Sequence, residues 1–380
     1  MLKKTEHNAH KNFATNLGLL ILSVTIILAA TEFCLRLFGY DEFETLKKDR
    51  ELFIRPSSNP DVKYELTPNT QGYVWGTDTQ INSQGYRGRL GSPGKFKGFR
   101  AIAIGDSITF GNSIPAESTF SHQLHRFLNK SSSAYEILNF GVSGYDILQD
   151  VSLVEHKALQ YNPDLIILGY CHNDLGVVSL NLKYIKRAQK FQKSWIFNFR
   201  IARFILRAIE KKRSGSWLLH KNELRIFQKD NKGKISGIGK NEHKLRHLMQ
   251  ACPALYPVVW YKDEIRVGRL RYCFERLAAL GKKGNFSVVV VIFPWLVDNA
   301  KGYPFLQCHK IVTYEAHRVG FDVLEVVDDF MAVGMEKIRT RKKDLIHPNA
   351  IGHRIVAKKL TAYIRERWPE NSLRSASSRR

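Results

Sequence analysis

From residue 100 onward, short runs that are apolar on both faces alternate with longer stretches whose apolar residues recur at helical spacing. Few folds accept that rhythm. Five runs read as strands, at 100–104, 136–140, 164–168, 286–293 and 321–326. The fourth, with Val288 to Val291 in a row, is the most strongly β-branched. Helical patterns fill 119–129, the stretch from Gly144 through Leu159, 265–280, 305–319 and 350–367. A strand apolar on both faces must be covered on both faces, and the intervening helices supply the cover. The pattern therefore predicts an α/β fold with a parallel, doubly wound sheet. In such sheets ligands bind beyond the carboxyl ends of the strands. Ser107, Gly144 and Asn173 each fall just past such an end.

Chemistry-bearing residues cluster at those ends. Gly105-Asp106-Ser107 follows the first strand, and its flanking glycines allow a sharp turn that presents the serine. Alone, such a tripeptide is as easily a turn, and it lacks the spacing of a GxSxG elbow. A serine hydroxyl is a poor nucleophile at neutral pH. It needs an imidazole to take its proton and a carboxylate to fix the imidazole tautomer. Asp344 and His347 offer both, three residues apart and just before the last helix. That spacing lets Asp344 accept a hydrogen bond from Nδ1–H and leaves Nε2 for Ser107. Gly144 can bring a backbone N–H, and Asn173 a side-chain amide, to a developing oxyanion. His172 is a rival base, and Asp328 or Asp329 a rival orienting carboxylate. The turn 82–88, ending in a cation and a glycine, reads as a surface turn.

The N-terminus constrains location. No charged residue occurs from 13 to 31, and that stretch is strongly apolar. About 19 such residues suffice to span a hydrocarbon core as a helix. Lys3, Lys4 and Lys11 precede it, while Asp41, Glu42 and Glu44 follow. The bias predicts a single-pass anchor with a cytoplasmic N-terminus and the bulk outside. A cleaved signal peptide and a buried core helix are the competing readings. Cys34, Cys171, Cys252, Cys273 and Cys308 are scattered with no CxxC pair, which argues against a disulfide framework or a zinc site. No cofactor is expected. The net charge of +24 points to an anionic partner. Residues 181–250 carry 19 Lys/Arg against 4 Asp/Glu, more than half of that surplus. Within them, 195–209 reads either as a basic amphipathic helix for a membrane interface or as a cap packed on the sheet. Nucleic acid is not expected, because the anchor puts the basic face outside the cytoplasm.

Gly105-Asp106-Ser107, Gly144, Asn173-Asp174 and Asp344-x-x-His347 stand in the order of the four sequence blocks of the SGNH, or GDSL-type, hydrolases, and the chain resembles that family over about residues 100–367. With its anchor and the 82–88 segment, it is similar to membrane-tethered bacterial members. The resemblance implies a flavodoxin-like three-layer fold. It also implies Ser107 as nucleophile, His347 as general base and acid, and Asp344 as its orienter. The oxyanion hole it implies consists of the Ser107 and Gly144 backbone N–H groups and the Asn173 side chain. The expected organisation is an N-terminus and anchor over 1–40, a linker with loosely structured docking segments over 41–99, and a hydrolase domain over 100–367. A basic insertion at about 176–264 interrupts that domain, and a disordered tail follows over 368–380. The expected function is a serine esterase acting on an ester-bearing lipid or glycan of the cell envelope. An O-acyltransferase on envelope polysaccharide, or an inactive binder of anionic lipid or polysaccharide, are the alternatives.

Overall fold

The structure is a computed structural model that describes residues 2–37, 53–130, 134–176, 199–201, 260–297, 302–342 and 344–370. The chain divides into two units, one of Met1–Glu51 with Lys183–Gly215, the other of Leu52–Leu182 with Ser216–Arg380.

In the first unit, helix α1 runs over Leu2–Leu37. Its segment Thr15–Leu37 is long and apolar enough to cross a bilayer. None of that segment's most apolar window is buried, and Leu20, Ile27 and Phe33 are exposed, so a core helix is not what this segment forms. A membrane span and a signal sequence both fit it. Near its end, Glu32 pairs with Arg36 and accepts from the backbone N–H of Ile201 at 2.9 Å. Apart from 199–201, the expected amphipathic helix at 195–209 lies outside the described residues, as do most of the basic insertion and residues 371–380 of the tail.

The second unit is built on five parallel strands: β5 (Phe99–Gly105), β6 (Tyr135–Asn139), β7 (Leu165–Cys171), β8 (Ser287–Phe293) and β9 (Asp322–Glu325). Their order is β6-β5-β7-β8-β9, with every neighbouring pair parallel. Numbered along the sheet-forming chain this is 2-1-3-4-5, the flavodoxin-like arrangement, and its topological switch lies at β5. All seven residues of β5 and of β7 are buried, as are six of the seven of β8. That is why these runs read as continuously apolar: helices cover both sides. Helices α3 (Phe120–Leu128) and α9 (Ala350–Arg367) pack together on one face. Helices α4 (Ile147–His156), α5 (Glu264–Gly284) and α6 (Leu306–Arg318) cover the other. Short polar residues start these helices where the sequence places them. Thr119 caps α3, Asp146 forms a capping box with Gln149 at α4, and Asn349 accepts from Ile351 at α9. The short helices α2 (Ser107–Phe110), α7 (Val327–Val333) and α8 (Met335–Ile338) are the remaining described α-helices of this unit.

The described part of 41–99 departs from the expected loose linker. It folds into two antiparallel hairpins, β1 (Ile54–Pro56) with β2 (Tyr64–Leu66), and β3 (Thr70–Val74) with β4 (Thr77–Ile81). Phe53, Ile54, Val62, Tyr64, Leu66, Val74 and Ile81 are fully buried, and the Tyr64 hydroxyl donates to the Ser143 carbonyl at 3.1 Å. The turn at 82–88 is only partly at the surface, with Ser83 and Gly88 exposed. Tyr86 and Arg87 are each 1% exposed, and Arg87 bridges by backbone to Ile81 and Asn139, joining the hairpin to the sheet edge. The physical reason is that an arginine can be buried when its fork is saturated by carbonyl oxygens, which a local reading of polarity does not reveal.

Candidate active site

Strand β5 ends at Gly105, whose φ of 142° and lack of a side chain are both required. A Cβ there would lie 2.4 Å from Thr109 Oγ1 and 2.5 Å from the Gly169 carbonyl oxygen. The chain turns at once into α2. Asp106 caps it by accepting from Ile108 N at 2.8 Å, which leaves Ser107 as the first helical residue at the carboxyl end of the sheet.

His347 comes from the loop before α9, and its Nε2 lies 2.9 Å from Ser107 Oγ. On the other side of the ring, Nδ1 lies 2.9 Å and 3.1 Å from the two Asp344 oxygens. Asp344 is an acceptor at neutral pH, so Nδ1 donates to it, which leaves Nε2 facing the Ser107 hydroxyl. Burial would raise the Asp344 carboxyl. The His347 ring, together with the backbone N–H groups of His347 and Ile346, outweighs that and holds it well below the usual carboxylate range. Thr340 adds a hydroxyl donor at 3.0 Å to Asp344 Oδ2. Ser107 is 8% exposed.

A second acceptor competes for the serine proton: Asp106 Oδ2 lies 3.1 Å from Ser107 Oγ. The same Oδ2 accepts from Asn173 Nδ2 at 2.8 Å. One amide hydrogen of Asn173 is thus fixed on Asp106 and the other remains to meet a ligand. Among the described residues, no hydrogen bond occupies the backbone N–H of Ser107 or Gly144. Gly144 follows Ser143, whose Oγ accepts from Asn112 Nδ2 at 3.1 Å, and Asn112 N donates to the Ser107 carbonyl at 3.0 Å. Ser107, Asp344 and His347 therefore meet by direct hydrogen bonds, Asn173 through Asp106, and Gly144 through the Asn112–Ser143 contact.

The rivals are elsewhere. His172 is fully buried against His309 and Phe305, its Nε2 3.4 Å from the Tyr303 hydroxyl, and burial pushes its pKa well below the ordinary histidine value. Asp329 is engaged by Lys359 at 2.6 Å, and neither it nor Asp328 bonds His347 among the described residues.

Sequence reasoning missed two contributors. Arg87 donates to the carbonyl oxygens of Phe110 at 3.0 Å, Gly111 at 2.7 Å and Ile114 at 2.9 Å, gripping the end of the serine turn. His353, one turn into α9, accepts from Phe120 N at 3.0 Å, and burial lowers its pKa to about 3. Nothing in their local sequence marks either one.

The model of the GDSL-like Lipase/Acylhydrolase family matches residues 103–355. Among solved structures, the chain is similar to an acetyl xylan esterase at 15% identity and a TM-score of 0.39, over 70% of this chain and 100% of that one. It is similar to the lipase/acylhydrolase from Enterococcus faecalis at 12% identity and 0.40, over 71% and 96%. It is also similar to an acetylxylan esterase from Geobacillus stearothermophilus at 13% and 0.37, over 71% and 94%. No curated protein matches the sequence.

Proposed function

The chain belongs to the GDSL-like lipase/acylhydrolase family, and from that premise we propose that it cleaves an ester of the cell envelope through a covalent acyl-serine formed on Ser107. The observation that carries this reading is the 2.9 Å approach of His347 Nε2 to Ser107 Oγ, with Asp344 behind the ring.

Ser107 Oγ attacks the ester carbonyl and passes its proton to His347 Nε2. The imidazolium so formed is stabilised by Asp344, which stays ionised. The carbonyl oxygen gains negative charge and is met by the backbone N–H groups of Ser107 and Gly144 and by the free Asn173 amide hydrogen. Collapse breaks the ester C–O bond, and His347 returns the proton to the leaving alcohol. Water then enters, gives a proton to His347 and attacks the acyl carbon, and Ser107 leaves with that proton. If an alcohol takes the place of water, the same steps transfer the acyl group instead.

The Thr15–Leu37 segment supports an anchored enzyme, with the lysines before it on the cytoplasmic side and the hydrolase domain outside. Ser107→Ala is expected to keep the fold and to abolish hydrolysis of p-nitrophenyl acetate. An unchanged rate rejects the mechanism. Free acetate measured against acetyl transferred to a glycan distinguishes hydrolysis from transfer.

A further inference from the structure

The β3–β4 hairpin turns through Trp75 and Gly76, with φ of 51° and 82°. A tryptophan in the left-handed region is strained and persists only where its surroundings hold it. Here the Trp75 ring packs edge-on against Phe110 at 4.8 Å and Phe53 at 6.0 Å, and its carbonyl accepts from Ser113 N at 2.8 Å. The hairpin tip is thereby fastened to the segment directly after the serine turn.

Gly76 leaves a slot. A Cβ there would lie 2.6 Å from Arg341 Nη2 and 2.6 Å from Ser113 Oγ. The guanidinium fills the space that only glycine vacates. Arg341 belongs to the loop that carries the catalytic pair, and its carbonyl accepts from Asp344 N at 2.9 Å. Its side chain is exposed, and no acidic group pairs with it among the described residues. Beside Ser113, Asn112 offers a buried Oδ1 with no hydrogen-bond partner among the described residues, while its amide hydrogen holds the Ser143 hydroxyl. Around the segment that follows the serine turn lie a guanidinium, the Ser113 hydroxyl, which donates to the Trp75 carbonyl at 3.3 Å, the Ser143 hydroxyl and an unpartnered amide oxygen. Hydroxyl and amide groups suit a polyhydroxylated alcohol, and the guanidinium fork suits a carboxylate or phosphate attached to it. The net charge of +24 draws such a chain in.

We propose that Arg341, seated over the Trp75–Gly76 turn, binds an anionic group on a glycan whose ester is presented to Ser107. This deepens the ester-hydrolase reading and rests on it for the role of Ser107. The test uses the full chain in detergent with Ser107→Ala, so that bound esters persist. Calorimetry compares an oligogalacturonate, a glycerol-phosphate oligomer and a neutral xylo-oligosaccharide. At least one anionic oligomer is expected to bind about tenfold tighter than the neutral one, and which one does so identifies carboxylate or phosphate as the ligand. Adding Arg341→Ala should erase that preference, and Arg341→Lys should keep part of it. Anionic affinity unchanged in Arg341→Ala, or a neutral oligomer bound as tightly, overturns the proposal. Arg341-dependent binding without turnover of the acetylated oligomer by the unmutated chain rejects ester hydrolysis and leaves the subsite standing.

Discussion

Arg87 Nη1 donates to the Gly111 carbonyl oxygen at 2.7 Å, so a residue outside the family-matched region holds the end of the turn that begins with Ser107. Burial lowers this guanidinium to about 10, which leaves it charged at neutral pH. Arg87→Met strands three buried carbonyl oxygens and is expected to cost about 3–5 kcal/mol. Arg87→Lys should recover less than half, because an ammonium cannot span the same fork. Urea unfolding, read as a shift in midpoint at constant slope, checks this. A methionine variant within about 0.5 kcal/mol of the parent would contradict the clamp.

Asp344→Asn keeps the size of the side chain but turns an acceptor toward a donor. The asparagine amide favours the His347 tautomer with hydrogen on Nε2, which cannot accept from Ser107. Turnover is expected to fall by about 10³- to 10⁴-fold with little change in KM. Steady-state kinetics on a short ester decides it, and a loss under tenfold would remove Asp344 from the mechanism.

On the proposed mechanism, Asn173→Ala would remove one oxyanion donor and release Asp106 Oδ2 to accept the serine proton alone. The expected loss in kcat is about 10²- to 10³-fold. Asn173→Asp should be worse, because it sets a carboxylate beside Asp106. If the alanine variant loses affinity but not kcat, Asn173 binds substrate rather than the transition state.

Stability should depend on pH through His353. Its folded pKa is about 3, against about 6.5 unfolded, so between those values the unfolded chain binds the extra proton. Stability is then complete above about pH 6.5 and is lost as pH falls, by about 1.4 kcal/mol per unit for this one group. His172, also buried and shifted downward, adds in the same direction. Melting at pH 7.5 and 5.5 should show the drop. In His353→Gln, whose amide oxygen can still accept from Phe120 N, the drop should be smaller. An identical pH dependence in the two proteins would exclude His353 as its source.

The sheet was legible because burial on both faces writes itself into the sequence as unbroken apolar runs such as Val288–Val291. The loops at its carboxyl end stood out only in combination: each motif alone reads as readily as a turn, and it was the order of Ser107, Asn173, Asp344 and His347 just past the apolar runs that singled them out. The hairpins were not legible. Their strands are three to five residues long, Pro56 and Gly72 interrupt two of them, and in β4 the buried positions are Thr77, Thr79 and Ile81, so the alternation is not one of apolar with polar residues. Arg87 was unreadable for a deeper reason. A cation after a turn signals solvent unless the carbonyls that surround it are known, and those come from residues 23 to 27 positions away. The hydrogen bond from Asn173 to Asp106 likewise exists only once β5 and β7 lie side by side.

The most direct measurement is reaction of the detergent-solubilised full chain with a fluorophosphonate, followed by mass spectrometric mapping of the adduct. Stoichiometric labelling at Ser107, abolished in Ser107→Ala and strongly slowed in His347→Ala, is the expected result. An unlabelled Ser107 in folded protein, or an adduct on another serine, would contradict the assignment of the nucleophile.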